Sequence, residues 1–381
     1  MLKVIIIGLL FLSGLSSVAD DFSLKGLLGS NDTPGTEPPA FKRAIGPREF
    51  QFPRDHLPHP EYKTEWWYFT GNLATAVGER FGYQFTLFRV ALISWQASNK
   101  KNLSSWRPSN IYMLHLALTD VNGEKIYHKQ AMSRDSMGLA GVAYKDGYYQ
   151  IWLDNWGLRS INQKQWLPLQ LKVNEPEFAI DLQLNAVKPI ILQGDKGLSQ
   201  KSNQVGNASY YYSITRMPTQ GSIRVGNKTY LVNGNSWFDR EWSTSSLAAN
   251  QKGWDWFALQ LADGRDLMLY QLRLNDGSKD QTSYAIIVDE KGKQTQFNAD
   301  QFEIQIHEYW QSPKTKIKYP ISWQLSIPSL HLQLSVIPFL KHQEWIGNFK
   351  YWEGAVAVKG MQNEQLINGS GYLEMTGYDN E

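Results

Sequence analysis

The sequence predicts an all-β chain folded as two antiparallel halves. Short apolar runs with period-two alternation are joined by turn signals, and no twelve-residue stretch carries a convincing 3.6-residue period. A length of 381 residues also exceeds what one hydrophobic core usually organises, so two domains of similar size are expected. The 15 Trp, 19 Tyr and 16 Phe, with 42% hydrophobic and 19% charged residues, exclude disorder and suit large aromatic-lined interiors.

Residues 1–19 read as a signal peptide: Lys3 begins it, Val4 to Leu15 is apolar, and Ser17-Val18-Ala19 is a small-x-small cleavage site. The apolar run is shorter than the roughly 20 residues needed to span a bilayer, so a soluble periplasmic or secreted protein that does not span the membrane is expected. Residues 20–49 are rich in Gly and Pro without apolar period, the composition of a flexible arm. From Phe50 on, Asn122-Gly123, Asp146-Gly147, Gly226-Asn227 and Asp263-Gly264 each lie between β-rich stretches and mark hairpins.

Phe81, Tyr83, Phe85 and Leu87 share one face of a strand whose other face carries Gln84 and Thr86. The pair Trp254–Leu261 and Asp266–Arg273 is apolar on both faces, as in strands covered on both sides. An internal echo links Glu65-Trp66-Trp67-Tyr68-Phe69 and the following Tyr83-Gln84…Arg89 strand with Trp254-Asp255-Trp256-Phe257 and Tyr270-Gln271-Leu272-Arg273. It places the two halves at 50–235 and 236–381.

Several chemistries are disfavoured. Lys plus Arg (38) nearly balances Asp plus Glu (36) without a basic block, so no nucleic-acid footprint exists. The absence of Cys excludes disulfides and thiol catalysis, and the seven His form neither His-x-His nor His-Glu-x-x-His, so no metal site is expected. His56 and His59 lie in a Pro-rich loop beside Asp55, where a surface role is expected. There is no Gly-x-Ser-x-Gly elbow and no phosphate-binding Gly loop, and no cofactor is implied.

The runs Phe52-Pro53-Arg54-Asp55-His56, His59 to Leu73, Trp237-Phe238-Asp239-Arg240-Glu241-Trp242-Ser243, the strand pair 253–273 and Gly371 to Tyr378 resemble the AttH-like family of secreted proteins, relatives of the carotenoid 1,2-hydratases. The resemblance covers nearly all of the chain after residue 19. It implies two tandem lipocalin-like (calycin-like) antiparallel β-barrels, a periplasmic location, a hydrophobic small-molecule ligand and association with ABC-type export components. Hydratases of this kind carry Asp-His-x-Trp where this chain has Asp239-Arg240-Glu241-Trp242, and an acid where it has Leu272. Both departures count against a simple transfer of hydratase activity.

Water addition to an isolated alkene needs a proton donor in a water-poor site and a surface that stabilises a cation, roles open to a buried carboxyl and to aromatic faces. Asp239, Glu241 and Tyr270 are the catalytic candidates; Glu65, Trp66, Trp67, Tyr68, Trp237, Arg240, Trp242, Asp255 and Trp256 are candidate ligand contacts. Two readings of Asp239-Arg240-Glu241 stand open: a charge cluster pinning the junction of the halves, or acids facing a cleft with Arg240 pairing elsewhere, as alternation along a strand favours. One of Trp66 and Trp67 is expected to plug a barrel and the other to touch ligand, while Tyr372 and Glu374 share a face of a closing strand. A carrier would need only apolar walls, whereas an enzyme needs a carboxyl pointing at its ligand.

Overall fold

The structure, a computed structural model, describes residues 41–94, 108–245, 247–347 and 350–378. The leader at 1–19 and most of the arm lie outside the described residues. The end of the arm, 41–49, is docked: Phe41 and Ala44 are buried, Lys42 N–H donates to the Glu61 carbonyl at 2.8 Å, and the Tyr210 hydroxyl donates to the Gly46 carbonyl at 2.8 Å.

Two antiparallel sheets, each curved into a barrel or half-barrel, make up the fold. The first contains β1 (Thr64–Ala74), β2 (Arg80–Ala91), β3 (Asn110–Asp120), β4 (Lys125–Arg134), β5 (Ala140–Lys145), β6 (Tyr148–Leu153), β7 (Trp156–Ser160), β8 (Leu169–Asn174), β9 (Phe178–Leu184), β10 (Ile191–Leu192), β11 (Leu198–Gln200), β12 (Ala208–Val225) and β13 (Lys228–Ser243). Its order is β4-β3-β2-β1-β13-β12-β9-β8-β7-β6-β5, with β10 and β11 on β12. The second contains β14 (Gln251–Leu261), β15 (Asp266–Leu274), β16 (Tyr284–Val288), β17 (Gln294–Asn298), β18 (Glu303–Gln311), β19 (Lys318–Ile327), β20 (Leu332–Pro338), β21 (Glu344–Ile346), β22 (Lys350–Gln362) and β23 (Gln365–Met375), in the order β17-β16-β15-β14-β23-β22-β20-β19-β18, with β21 on β22. Among the described residues helices are limited to single 3-10 turns, and none is long and apolar enough to cross a membrane.

The expected division at 235/236 falls inside β13, which pairs with β12 from Lys228 and with β1 from Asn233 on to Ser243, so the chain changes sheet between Ser243 and Gln251. In each sheet the first hairpin pairs with the last strand: β1 with β13 and β14 with β23. These are the two hairpins that the sequence echo links.

Asp146-Gly147 and Gly226-Asn227 form two-residue turns in which Asp146, Gly147 and Gly226 have positive φ. The Asn122-Gly123 and Asp263-Gly264 turns are two residues wider, and Gly264 at φ 89° takes the left-handed position of the second.

Each barrel has its own apolar interior, Phe69, Leu114 and Leu182 among the first and Phe257, Trp323 and Leu334 among the second. A third cluster, including Tyr68, Tyr211, Trp256, Met268 and Tyr372, fills the contact between barrels. This is why β14 and β15 are apolar on both faces: one lines a barrel, the other packs on its neighbour. The ionic pin of the junction is Asp266, which accepts from Lys188 Nζ at 2.7 Å, Thr215 Oγ1 at 2.7 Å and Arg216 Nη2 at 2.6 Å.

Candidate functional site

Strand alternation builds a cleft between the barrels. On the first barrel, β2, β1, β13 and β12 align Thr86, Tyr68, Asp239 and Ser213 across one ladder row, and Phe88, Trp66, Glu241 and Tyr211 across the next but one. On the second, β15, β14, β23 and β22 align Tyr270, Trp256, Glu374 and Glu353. These facing rows, Ser213 apart, together with Gln84, His115, Lys201, Trp254 and Tyr351, line a cavity of about 110 Å³ that is partly open to solvent.

Six of the twelve residues singled out from sequence line it: Trp66, Tyr68, Asp239, Glu241, Trp256 and Tyr270. Trp237 stands behind them and donates from Nε1 to Asp239 Oδ1 at 2.7 Å. The other five point away, because each is one residue out of phase with a lining residue on its strand. Glu65, Trp67, Arg240 and Trp242 enter the first barrel, and Asp255 enters the second, where it meets Arg273 Nε at 3.2 Å and accepts from the Tyr378 hydroxyl at 2.9 Å.

Inside the first barrel these residues form one ionic cluster. Glu65 is fully buried between Arg89, whose Nε donates at 2.6 Å, and Arg240, which bonds its other oxygen. Although burial alone raises a carboxyl, Arg89 and Arg240 hold Glu65 well below the usual carboxylate range. The Arg240 guanidinium lies 3.9 Å from the centre of the fully buried Trp67 ring.

His56 and His59 are buried here, not at the surface. The Pro-rich loop folds over the barrel end, stacking His59 on Trp242 at 3.9 Å and His56 on Trp166 at 4.4 Å, with His59 Nε2 3.0 Å from Asp55. Asp239-Arg240-Glu241 therefore does not pin the junction as a unit: its acids face the cleft and its arginine faces the barrel.

The cleft's electrostatics are those of acids in an apolar wall. Asp239 accepts from Tyr211 at 2.5 Å, from Ser213 and from Trp237, yet burial outweighs these bonds and lifts its carboxyl to about 7. Trp256 Nε1 in turn donates to the Tyr211 hydroxyl at 3.1 Å, so the second barrel orients the Asp239 partner.

Glu374, bonded by Trp254 Nε1 at 2.7 Å, is raised to about 7 by burial and by Asp239 and Glu241. Glu353 accepts from Tyr68 across the barrel contact, and burial together with Glu374 pushes it well above the carboxylate range. Glu241 accepts from Ser209 and pairs with Lys201 Nζ at 2.9 Å, while that ammonium sits 4.3 Å from the Tyr270 ring centre. Burial pushes the Tyr270 phenol well above its ordinary value, so it stays a hydrogen-bond donor at neutral pH. Among the described residues no cluster has the geometry of a metal site.

Sequence reasoning missed Tyr211, Lys201 and Glu353. Tyr210-Tyr211-Tyr212 gives no sign of which ring faces the cleft, and Lys201 lies outside the regular strands. Glu353, in Tyr351-Trp352-Glu353, had a usable signal, since it repeats the neighbouring acid and Trp of Glu65-Trp66 and Asp255-Trp256.

Comparison with known proteins agrees with this architecture. A comparison with curated protein sequences found no match. Among solved structures, an AttH-type protein of Nitrosomonas europaea is 30% identical, with a TM-score of 0.76 over 89% of this chain and 99% of that one. Kievitone hydratase from Nectria haematococca (14% identity, TM-score 0.66, 89% of this chain and 97% of that one) and CghA, solved with Sch210972 (11%, 0.53, 93% and 97%), share the fold. The model of the AttH-like family matches residues 43–378, which takes in both barrels and the cleft between them, and the chain belongs to that family.

Proposed function

We propose that the cleft binds an apolar or amphiphilic molecule and adds water to one of its isolated double bonds, with Asp239 as the acid. The observation that carries this is the Asp239 carboxyl, buried, raised to about 7 and presented to a cleft walled by Trp66, Trp254 and Trp256. Its proton passes to one alkene carbon as the π pair forms the new C–H bond, leaving a cation beside the aromatic faces. Water then adds its oxygen to that cation and returns a proton to the Asp239 carboxylate, so alkene and water give an alcohol with the acid regenerated. Tyr270, on the opposite wall, orients the water. Kievitone hydratase is by its name a hydratase, and the shared fold is consistent with this reading.

A carrier delivering the same molecule to an ABC-type exporter is the second reading; it gives the cleft carboxyls no task. In either case we place the protein in the periplasm or outside the cell, on the strength of residues 1–19. The test is incubation of the purified protein with a lipid extract of its native host in H₂¹⁸O, followed by mass spectrometry. A product heavier by one labelled water, formed by the wild type and not by Asp239→Asn, is expected. Retention of a lipid by both proteins without labelled product would establish the carrier instead.

A further inference from the structure

The proposed acid occupies one wall; the opposite wall carries a second pair of acids with no cation of its own. Glu353 and Glu374 stand directly opposite each other on β22 and β23, where like charges destabilise a sheet. Their hydrogen-bond partners are neutral: Tyr68 for Glu353, and Trp254 for Glu374.

Of the residues lining the cleft, four are acids, and the single lysine, Lys201, is already paired with Glu241. His115 supplies no charge, because burial and the neighbouring His128 push its ring down to about 3. Gln84 adds an independent sign. It is 1% exposed, its amide nitrogen donates to Thr86, and its buried carbonyl oxygen has no partner among the described residues. Gln84 is a cleft-lining residue, so that acceptor awaits positive charge or a donor from a ligand.

Resting on the reading of this cleft as a site of alkene protonation, we propose that Glu353 and Glu374 form a cation-stabilising wall, so that the cleft prefers an organic cation to a neutral or acidic molecule of the same length. Aromatic faces and carboxyls then act together: the faces of Trp254 and Trp256 attract positive charge through their quadrupoles, and a cation beside the two carboxyls offsets the burial and mutual proximity that hold them protonated, so that they ionise and pair with it. The charge so held is that of the cation formed when Asp239 gives up its proton, which is where differential stabilisation accelerates a reaction. Net charge cannot produce this preference, since the whole chain carries a formal +2 and favours anions.

The test is binding of decyltrimethylammonium, decanol and decanoate, each below its micellar range, followed by quenching of tryptophan fluorescence. The ammonium is expected to bind at least tenfold tighter than decanol and decanoate weakest of the three. In the double variant Glu353→Gln, Glu374→Gln the ammonium preference is expected to fall to within about twofold of decanol, with decanol binding kept as the sign of an intact cleft. Equal binding of ammonium and decanol by the wild type, tighter binding of decanoate, or a preference that survives both substitutions would overturn the inference while leaving an apolar site in place. Failure of all three probes to bind would overturn the apolar site as well.

Discussion

Replacing Glu65 by Gln removes the one carboxylate that two buried guanidinium groups share. Arg89 and Arg240 are 1% and 0% exposed. After the substitution Arg89 keeps only neutral acceptors, the Tyr62 carbonyl and Asn110 Oδ1 at 2.7 Å each and the His59 carbonyl at 3.1 Å, and Arg240 keeps the Leu57 and Glu241 carbonyls at 3.0 Å and a contact with His59 Nδ1 at 3.1 Å. Breaking a buried pair by deleting one partner costs about 3–5 kcal/mol, much of a typical domain stability of about 5–15 kcal/mol. The assay is urea unfolding at pH 7 followed by circular dichroism.

The pH dependence gives a second reading of the same residue. Because the folded Glu65 carboxyl titrates below its unfolded value of 4.5, its contribution is complete above pH 4.5 and is lost as pH falls toward the folded value. Glu65→Gln therefore lacks that part of the acid loss. Glu65 faces away from the cleft, so the folded variant binds decanol as the wild type does. A stability loss under about 1 kcal/mol, or an unchanged acid branch, would refute the role assigned to the cluster.

Three further substitutions test the scaffold and the acid. Gly264→Val forces a β-branched residue to φ 89° and brings a Cβ to 3.3 Å from that of Glu290; a loss of about 1–3 kcal/mol is expected, read as a lower melting temperature. Asp266→Asn leaves the buried Lys188 and the partly buried Arg216 without their shared carboxylate, at a cost of about 3 kcal/mol in urea unfolding, with the loss centred on the contact between barrels. Asp239→Asn acts on the neutral pH range. The folded Asp239 carboxyl is raised from 3.8 to about 7, so it contributes fully below pH 3.8 and the stability is lost as pH climbs through 7, a change of about 4 kcal/mol. The variant is expected to show a correspondingly flatter profile between pH 4 and 7 in thermal unfolding; an unaltered slope would show that Asp239 is ionised in the native cleft.

Period-two alternation made much of this legible in the sequence. Asp239 and Glu241 had to face opposite Arg240, and Gln84 with Thr86 had to form a polar face apart from Phe85; the structure sends both polar sets to the cleft. What alternation cannot give is the partner of a face. Glu65 and Trp67 were as plausible for a ligand as Trp66 and Tyr68 until β1 was placed between β2 and β13, because both faces of a strand between two barrels are buried. The loop at His56 and His59 misleads for a related reason: its Pro residues speak of a turn, and nothing local reveals that the turn covers Trp166 and Trp242.

The two departures from the hydratase pattern acquire different weights once faces are known. Position 240 points into the first barrel, so an arginine there in place of histidine adds a partner for Glu65 and takes nothing from the cleft. Leu272 is the more consequential change, for it lies on the cleft side of β15, two residues from Tyr270, and joins the apolar cluster between barrels. An acid is nevertheless present on that same face. Leu272 stands opposite Trp254 on β14, the indole of Trp254 donates to Glu374 on β23, and the register then brings Glu374 opposite Glu353. The acid missing from one strand is thus replaced across the sheet by two others, while β15 itself contributes Tyr270 and no acid to the cleft lining.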